Sequence, residues 1–270
     1  MRFDYYAATL PAPLSHCLDV LSPALGGNFL PTKPVRPYTN GLECVAGGFR
    51  LYHGGENPHP YFVSSGDDAV LAADVLRREF PSHRVSRADV AHDFIKPGGF
   101  DWAVSILDPI ARKAGVRVTF YGDPSPTQKA GRTMYFGSPD SDVRLRVYEK
   151  GLEQRGKGVA EDMAPEHWIR AELQTRPRKA RKTAAATMSE AELFGLSRWT
   201  LKAAEAVIGV TVPYTPDTSM RETTAERAVR FMCQQYGAAM RAFVEQHGRK
   251  ALDRRIGDAL LADAPAGRRH

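Results

Sequence analysis

The sequence predicts an α+β fold, in which helices cover one face of a central, mostly antiparallel sheet and further helices form the C-terminal part. Up to residue 175, strand-like segments often follow one another directly instead of alternating strictly with helices. Several of these segments alternate apolar and polar side chains with a period of two, which gives each strand one apolar face. Beyond residue 182, apolar residues recur at helical spacing instead.

The strands are predicted from short runs of β-branched and aromatic residues that are bounded by turn residues. They cover residues 2–9, 42–53, 61–65, 83–94, 116–121, 133–136, 143–148 and 167–175. Gly47 and Gly48 interrupt the second of these segments. Residues 10–41 contain many Pro and Gly residues, which predicts an irregular connection.

The helices are predicted from apolar residues that recur three or four positions apart. They cover residues 69–80, 102–114, 189–207 and 224–247. Ser189 and Glu192 stand at the spacing of a capping box. The last helix has an apolar stripe broad enough to pack on the core or on a second subunit, so a homodimer is one of two alternatives. We expect one domain over residues 1–182 and a helical region over residues 183–270.

The charge balance favours an anionic partner, with nucleic acid as the first candidate. The chain has 270 residues, with 37 Lys and Arg against 31 Asp and Glu, a net charge of +6 and a pI of about 9.3. Its three cysteines are scattered without a Cys-x-x-Cys pair, which predicts a reducing compartment. No run of apolar residues has the length of a signal peptide or of a membrane span. We therefore expect a soluble cytoplasmic protein with no membrane partner.

Four predicted strands carry an unusual concentration of charged and phenolic side chains on one face. Side chains two positions apart in a strand share a face. The shared faces hold Arg87, Asp89 and Asp93; Thr133 and Tyr135; Arg144, Arg146, Tyr148 and Lys150; and Arg170, Glu172 and Gln174. The simpler alternative is the solvated face of an antiparallel sheet. Arg with Asp or Glu two positions away recurs, however, and this pattern favours a functional site.

These residue types suit chemistry on a phosphodiester if the polar faces coincide. Asp89, Asp93 and Glu172 could supply the oxygen ligands that Mg²⁺ or Mn²⁺ prefers. A metal would polarise a phosphodiester, and the cationic side chains would stabilise the charge that develops on it. A tyrosine has an ordinary pKa of about 10, so it needs such neighbours to act as a nucleophile.

The motifs resemble those of rolling-circle replication initiators of the Rep_trans type, which occur on plasmids and phages and as relaxases on integrative elements. The resemblance covers residues 83–176 best. It rests on Arg87-x-Asp-x-Ala-x-Asp93, Gly131-x-Thr-x-Tyr-x-Gly-Ser138, Ser141, Arg146-x-Tyr-x-Lys-Gly-x-Glu153 and Trp168-Ile-Arg-Ala-Glu172. Pro139 and Asp140 depart from the family pattern, which often has a basic residue after Gly-Ser.

The resemblance implies a metal-dependent enzyme that nicks and rejoins one DNA strand at an origin. In the family, a tyrosine becomes joined to the 5′ phosphate and leaves a 3′ hydroxyl. That tyrosine falls on Tyr135, with Arg146 and Lys150 as the accompanying catalytic cations. Tyr148 is the rival nucleophile, because it could also stack on a base or contact a phosphate. The metal carboxylates fall among Asp89, Asp93 and Glu172, and residues 1–182 become the catalytic nicking domain.

The DNA is expected to be single-stranded or hairpin origin DNA. A basic run from Arg176 to Lys182 suits a phosphate track that gives salt-dependent binding, although it could equally be a solvated linker. The residues expected to bind DNA are Arg87, Arg144, Tyr148, Arg170, Arg178, Lys179, Arg181 and Lys182. The helical region over residues 183–270 is expected to bind DNA or to mediate oligomerisation.

Three functions fit these features. The first is a rolling-circle replication initiator, the second is a conjugative relaxase with the same chemistry, and the third is an origin-binding regulator without catalysis. Because the chain contains no helicase motif, a host helicase and a host DNA polymerase are expected as partners.

Overall fold

The computed structural model describes residues 1–122, 131–215 and 224–262. The chain forms two compact units, Met1–Thr218 and Ser219–His270. The first unit extends past residue 182, where the sequence predicted the first domain to end, because Ala185, Phe194 and Trp199 contribute to its core. In the second unit, helix α8 packs against helix α9.

In the first unit, the described strands form one sheet in which every neighbouring pair is antiparallel. The strands are β1 (Arg2–Thr9), β2 (Phe29–Thr32), β3 (Asn40–Cys44), β4 (Phe49–His53), β5 (Tyr61–Ser65), β6 (Arg84–Ile95), β7 (Val118–Tyr121), β8 (Thr133–Phe136), β9 (Val143–Glu149) and β10 (Trp168–Thr175). Their order across the sheet is β2-β3-β4-β5-β1-β6-β10-β9-β8-β7. The antiparallel sheet predicted from the sequence is confirmed.

The described helices lie between and after these strands. They are α1 (Leu14–Ala24), α2 (Asp68–Glu79), α3 (Gly99–Lys113), α4 (Lys150–Gly156), α5 (Arg181–Ala184), α6 (Glu190–Leu193), α7 (Arg198–Ala203), α8 (Thr224–His247) and α9 (Arg249–Ala262). A 3₁₀ turn at Phe194–Leu196 and a π turn at Ala204–Ile208 flank α7. No helix of the described residues is long and apolar enough to cross a membrane.

One face of the sheet is covered and apolar. Val90 of β6, Leu145 of β9 and Leu173 of β10 belong to a single buried cluster that also contains residues of α1, α2, α3 and the segment 185–204. Burial of this apolar area is the main favourable contribution to folding. Those helices cover the apolar face, so the charged side chains of the same strands point to the opposite side of the sheet.

The irregular connection predicted over residues 10–41 is wrong. This segment contains helix α1 and strand β2, which pairs with β3. Pro13 stands at the N-cap of α1 and Pro23 lies near its C-terminal end. Proline is tolerated at the start of a helix, where its missing N–H would have no partner, whereas Pro23 gives up one hydrogen bond near the end of α1. Both prolines are turn signals in the sequence.

The single helix predicted over residues 189–207 is also interrupted. Ser189 and Glu192 do form the capping box, but the chain changes to a 3₁₀ turn immediately afterwards. A Cβ atom on Gly195 would stand 2.2 Å from the carbonyl oxygen of Pro213, so the two backbones approach closely there. Such a tertiary contact has no signature in helical periodicity.

Helix α4 was not predicted, and a glycine at its start fixes its position. A Cβ atom on Gly151 would lie 1.8 Å from the carbonyl oxygen of Pro165, whereas one on Gly156 would meet nothing within 4 Å. Helix α4 therefore rests directly on the backbone that leads into β10.

We expect Gly151→Ala to lower the free energy of unfolding by about 1 to 3 kcal/mol, because the added methyl group overpacks a backbone contact. Gly156→Ala is the matched control in the same helix and should be neutral or stabilise by up to about 1 kcal/mol. Urea unfolding monitored by circular dichroism measures both. Equal stability of the two variants would contradict the close contact at Gly151.

Candidate active site on the polar sheet face

The register of the sheet brings the predicted polar strand faces together. Strands β6, β10, β9 and β8 are consecutive neighbours. Asp93 faces Arg170 across β6 and β10, Glu172 faces Arg146 across β10 and β9, and Arg146 faces Tyr135 across β9 and β8. The charged side chains therefore form one continuous surface, hereafter the polar face.

Arg170 is the most deeply buried cation of the polar face, with 3% of its side chain exposed. Its Nε and Nη2 atoms donate to the two carboxylate oxygens of Asp93 at 2.7 and 2.8 Å, and its Nη1 donates to Asp4 at 2.9 Å. Trp168 donates its Nε1–H to the same Asp93 carboxylate at 2.9 Å. Burial alone would raise the pKa of Asp93, but these donors outweigh burial and lower it.

Asp89 lies at the centre of the polar face and is almost fully buried. Arg87 donates to it from Nε at 2.9 Å and from Nη2 at 2.5 Å, and Gln174 approaches at 3.4 Å. Burial raises the pKa of Asp89 to about 6, and the nearby carboxylate of Glu172 adds to this effect. Two carboxylates thus lie close enough in a dry environment to repel each other.

Glu172 connects the carboxylates to the tyrosines. Arg146 donates from Nη2 to Glu172 at 2.6 Å, and the hydroxyl of Tyr148 lies 3.4 Å from the same carboxylate oxygen. Burial opposes the charge of Arg146, but Glu172 and a hydrogen bond with Tyr135 raise the pKa of the guanidinium. Arg146 therefore bridges a carboxylate on one neighbouring strand and a tyrosine on the other.

Tyr135 lies at the more open side of the polar face and is half-buried. The guanidinium of Arg144 stands 3.8 Å from the centroid of its ring, and Tyr121 meets the ring edge-on at 5.4 Å. Strand β8 ends one residue later, at Phe136. Gly137 then adopts a φ of 110°, and its α carbon packs against the backbone of Val143 and Arg144, so a side chain there would be strained.

Tyr148 is in a different environment from Tyr135. Only 4% of it is exposed, and burial together with Glu172 raises the pKa of its hydroxyl. Arg146 and Lys150 stand over its ring at 4.6 and 5.6 Å from the centroid. A phosphodiester can reach a half-exposed hydroxyl more readily than one that is buried against a carboxylate.

The sequence predicted that Lys150 lies on the polar face of β9, but the structure places it elsewhere. Strand β9 ends at Glu149, and Lys150 is the first residue of α4. Its Nζ atom pairs with Glu153 at 2.6 Å, and Lys157 pairs with the other oxygen of the same carboxylate at 2.5 Å. Burial would raise the pKa of Glu153, but the hydrogen bonds from these two lysines lower it to about 2.

Arg144 differs from the other arginines of the polar face because it forms no ion pair with any described residue. Burial lowers its pKa, and the neighbouring charges of Arg176 and Arg146 lower it further. Its buried Nε atom has no hydrogen-bond partner among the described residues, and the same holds for Nε of Arg146. The charge of Arg144, next to Tyr135, is therefore not neutralised by a described carboxylate.

The basic run borders the turn that follows Tyr135. Arg176 donates to the carbonyl oxygen of Pro139 at 3.0 Å, and Arg178 donates to that of Asp140 at 2.8 Å and pairs with Asp142 at 2.7 Å. Further along, Arg181 donates to the carbonyl oxygen of Thr215 at 2.9 Å. Lys179 is exposed and Lys182 is half-exposed.

Two β-bulges add polar groups that the sequence analysis missed. The register between β1 and β6 shifts between Phe3 and Tyr5 and again between Ala7 and Ala8. The first shift inserts Asp4, which reaches Arg170, and the second lets Ser86 and Arg87 both face the polar side. A strict period of two cannot reveal such insertions.

The carboxylates fit a metal only in part. Asp89 and Glu172 are close enough to interact, but each already accepts from an arginine, Arg87 or Arg146. Asp93 is held more tightly, because Arg170 donates to both of its oxygens and Trp168 donates to one of them. Among the described residues, no group of three or more His, Cys, Asp and Glu could hold a metal ion. The donor set suits an ion such as Mg²⁺, which is often bound by only one or two carboxylates plus substrate phosphates.

A cleft of about 270 Å³ opens beside this cluster. Its lining includes Arg146, Tyr148 and Thr133 from the polar face, and Arg132 and Glu149 at its rim. Arg132 is itself held by ion pairs to Glu149 at 2.8 Å and Asp101 at 3.0 Å. The cleft gives a polar ligand access to the edge of the polar face.

Comparison with known proteins agrees with the fold and the motifs. The sequence profile of the replication initiation factor family, Rep_trans, matches residues 83–256, which is more than half of the chain. The chain belongs to this family. The match begins at the start of β6 and contains every residue that the sequence analysis placed in the site. No curated protein sequence matches the chain significantly.

The fold of this replication initiation factor also resembles a solved structure. It is similar to the rolling circle replication initiator protein from Geobacillus stearothermophilus, with a TM-score of 0.53 over 79% of this chain and 98% of that one. The two sequences are 18% identical over the match, so the likeness concerns the fold.

The pairing of Glu153 with two lysines gives a pH-dependent contribution to stability. The folded-state pKa of Glu153 lies below its ordinary value of 4.5, so its contribution is complete above pH 4.5 and is lost as the pH falls towards 2. Glu153→Gln should lower the free energy of unfolding at pH 7 by about 1 to 2 kcal/mol, after allowance for solvent screening, and by much less at pH 2.5.

Urea unfolding at both pH values measures this difference. Glu161→Gln is the matched control. Glu161 is exposed, and its carboxylate lies 3.7 Å from Arg155, which belongs to the same helix as Glu153. A loss of stability in Glu153→Gln that is equal at both pH values would show that the carboxylate charge is not responsible.

Proposed function

We propose that this replication initiation factor nicks one DNA strand at a rolling-circle origin, with Tyr135 as the nucleophile that becomes joined to the 5′ phosphate. One observation carries the proposal: a half-buried tyrosine lies beside two arginine side chains, and one of them, Arg144, forms no ion pair with any described carboxylate. A guanidinium without an acidic partner can form charge-assisted hydrogen bonds with an incoming phosphate.

The reaction is a transesterification. The phenolic oxygen of Tyr135 attacks the phosphorus atom, and the bond between phosphorus and the 3′ oxygen of the preceding nucleotide breaks. In balance, the proton of the phenol is transferred to the departing 3′ oxygen, which becomes a hydroxyl group. Because one phosphodiester replaces another, attack by a 3′ hydroxyl on the phosphotyrosine reverses the reaction and rejoins the strand.

Arg144 and Arg146 would hold the scissile phosphate and stabilise the charge on its oxygens. Arg146 is fixed by Glu172 and Arg144 by the ring of Tyr135, so both cations are in place before the substrate binds. Preorganised charges of this kind commonly contribute 10²-fold or more to the rate. Lys150 pairs with Glu153 and stands over the ring of Tyr148, so it would stabilise the position of that ring and would not contact the phosphate.

Asp89 and Glu172 are the residues that we propose hold a divalent cation, Mg²⁺ or Mn²⁺. Such a cation would polarise the scissile phosphate as a Lewis acid. Burial, with the nearby carboxylate of Glu172 as a smaller cause, raises the pKa of Asp89, and a bound cation would stabilise the charged form of this carboxyl group. Asp93 would hold Arg170 in place instead of binding the cation.

The DNA would enter past the turn after Tyr135. Arg176 and Arg178 order this turn through its carbonyl oxygens, and Lys182 in the same basic run adds a half-exposed positive charge. These contacts would position the backbone without reading its sequence. Recognition of a single-stranded or hairpin origin would fall to other parts of the chain, with a host helicase and a DNA polymerase acting after the nick.

Tyr135→Phe should abolish the covalent adduct with a labelled hairpin oligonucleotide from the replicon that encodes the protein. The adduct is measured as a labelled band in a denaturing gel. Tyr121→Phe is the matched control, because its ring contacts Tyr135 on the neighbouring strand, and it should retain the adduct. An undiminished adduct in Tyr135→Phe would transfer the role to another residue. Origin binding without an adduct in the wild type would make the chain a non-catalytic regulator.

The metal proposal predicts a shift in the concentration of Mn²⁺ needed for half of the maximal adduct yield. Asp89→Asn and Glu172→Gln should each raise this concentration by about 10- to 100-fold, and EDTA should abolish the reaction in the wild type. Asp93→Asn should leave the concentration unchanged even if it lowers the yield. A shift in Asp93→Asn alone would show that the ligands are assigned wrongly.

A further inference from the structure

The polar face continues into the N-terminal half of the sheet, which the family profile does not cover because its match starts at residue 83. Strands β4, β5 and β1 lie beside β6 in that order. Tyr52 of β4 faces Tyr61 of β5, and Tyr5 of β1 faces Asp89 of β6. These tyrosines therefore lie on the same side of the sheet as Arg87 and Asp89.

Four tyrosines form a cluster there, hereafter the tyrosine platform: Tyr5, Tyr38, Tyr52 and Tyr61. The ring of Tyr38 stacks on that of Tyr61 with centroids 5.7 Å apart and planes inclined by 5°, and it lies 6.4 Å from Tyr52. Tyr5, Tyr38 and Tyr61 are half-buried, whereas Tyr52 is buried and supports the others. Three aromatic rings are thus partly open to the polar side.

The loop that carries Tyr38 is fixed by close backbone contacts. Gly54 and Gly55 follow β4 with φ angles of 81° and 77°. A Cβ atom on Gly55 would stand 2.8 Å from the carbonyl oxygen of Pro37, and one on Gly54 would stand 2.3 Å from Oγ1 of Thr39. Both neighbours of Tyr38 are therefore packed against the Gly54–Gly55 turn, which holds the position of this residue in the loop.

The tyrosine platform is joined to the active site by Arg87. Its guanidinium lies 4.3 Å from the centroid of the Tyr5 ring while it pairs with Asp89. Ser86, which the bulge turns to the same side, donates to the hydroxyl of Tyr61 at 3.0 Å. Strand β1, which contributes Tyr5, lies between Tyr61 on β5 and the carboxylates on β6.

The distance from the platform to Tyr135 corresponds to a short length of single strand. Five interstrand steps separate β5 from β8, which is about 24 Å across the sheet at about 4.8 Å per step. Tyr61 is level with Arg84 of β6 and Tyr135 with Ala91, which adds an offset of about 23 Å along the strands. The resulting distance of about 33 Å corresponds to about ten nucleotides at a stacked rise of about 3.4 Å per nucleotide. Exposed cations also accompany the platform, namely Lys33 and Arg36 in the loop and Arg84 on β6.

We propose that the tyrosine platform stacks the bases of the single-stranded DNA that flanks the nick site, about ten nucleotides from the scissile phosphate. The proposal rests on the proposed function for the identity of the ligand. Aromatic rings beside cations are the usual means by which proteins hold single strands without reading their sequence, because every base has a stacking face. A duplex would not present its bases to such a surface.

The test measures binding of fluorescein-labelled oligo(dT) of 6, 12, 18 and 24 nucleotides to the full chain. Affinity should rise with length in the wild type as the strand becomes long enough to reach from the phosphate site to the platform. Tyr38→Ala should lose about 10-fold in affinity for the 24-mer and little for the 6-mer. Tyr38→Trp should retain the affinity, because it retains the stacking ring.

Tyr214→Ala is the matched control, since this exposed tyrosine also lies beside an arginine, Arg198, but in the helical part of the unit. It should bind every length as the wild type does. Tyr135→Phe should show the same increase of affinity with oligonucleotide length, because binding at the platform does not need the nucleophile. The binding test therefore remains valid even if the protein forms no adduct in the nicking assay. Equal binding by Tyr38→Ala and the wild type at all lengths would overturn the proposal.

A second measurement does not depend on a stable variant. The wild-type protein is irradiated with a 24-mer that contains bromodeoxyuridine, and the cross-linked peptides are identified by mass spectrometry. We expect the peptides that contain Tyr38 and Tyr61 among them. Cross-links confined to the region of Tyr135 and the basic run would contradict the platform.

Discussion

The polar face depends on one constraint: each buried charge in the centre of the sheet must meet an opposite charge, from the same strand or from a neighbouring one. Arg170 shows this most clearly, because it contacts both oxygens of Asp93 on β6 and one oxygen of Asp4 on β1. Removing one partner of such a buried pair typically costs about 3 to 5 kcal/mol, since the remaining charge stays in a dry environment. Three adjacent strands are thereby held in one register, and the side chains between them have little freedom.

The pairing is incomplete towards the edge of the sheet, and this is where the site becomes reactive. Arg87 and Arg170 are satisfied by Asp89 and Asp93, and Arg146 is partly satisfied by Glu172. Arg144 stands over the ring of Tyr135 and pairs with no carboxylate in the part of the chain that the structure describes. The excess of positive charge therefore lies next to the half-exposed tyrosine, where a phosphate can complete the set of hydrogen bonds.

Much of this arrangement could be predicted from the sequence because strand periodicity is a strong signal. The polar faces of β6, β9 and β10 follow from alternation alone, and so does the shared side of Asp89 and Asp93. Three features could not be predicted. The insertion of Asp4 needs a bulge, the position of Lys150 depends on where β9 ends, and the isolation of Arg144 depends on which partners are absent among the described residues. All three are properties of tertiary contacts and leave no mark on local composition.

The central claim is that Tyr135, and not the buried Tyr148, forms the covalent bond to DNA. Trypsin separates the two residues, since Tyr135 falls in the peptide from Thr133 to Arg144 and Tyr148 in the peptide from Val147 to Lys150. The most direct measurement is therefore mass spectrometry of the digested protein–DNA adduct formed by the wild type. We predict that the nucleotide mass is attached to the Thr133–Arg144 peptide at Tyr135. Attachment to the Val147–Lys150 peptide would contradict the account.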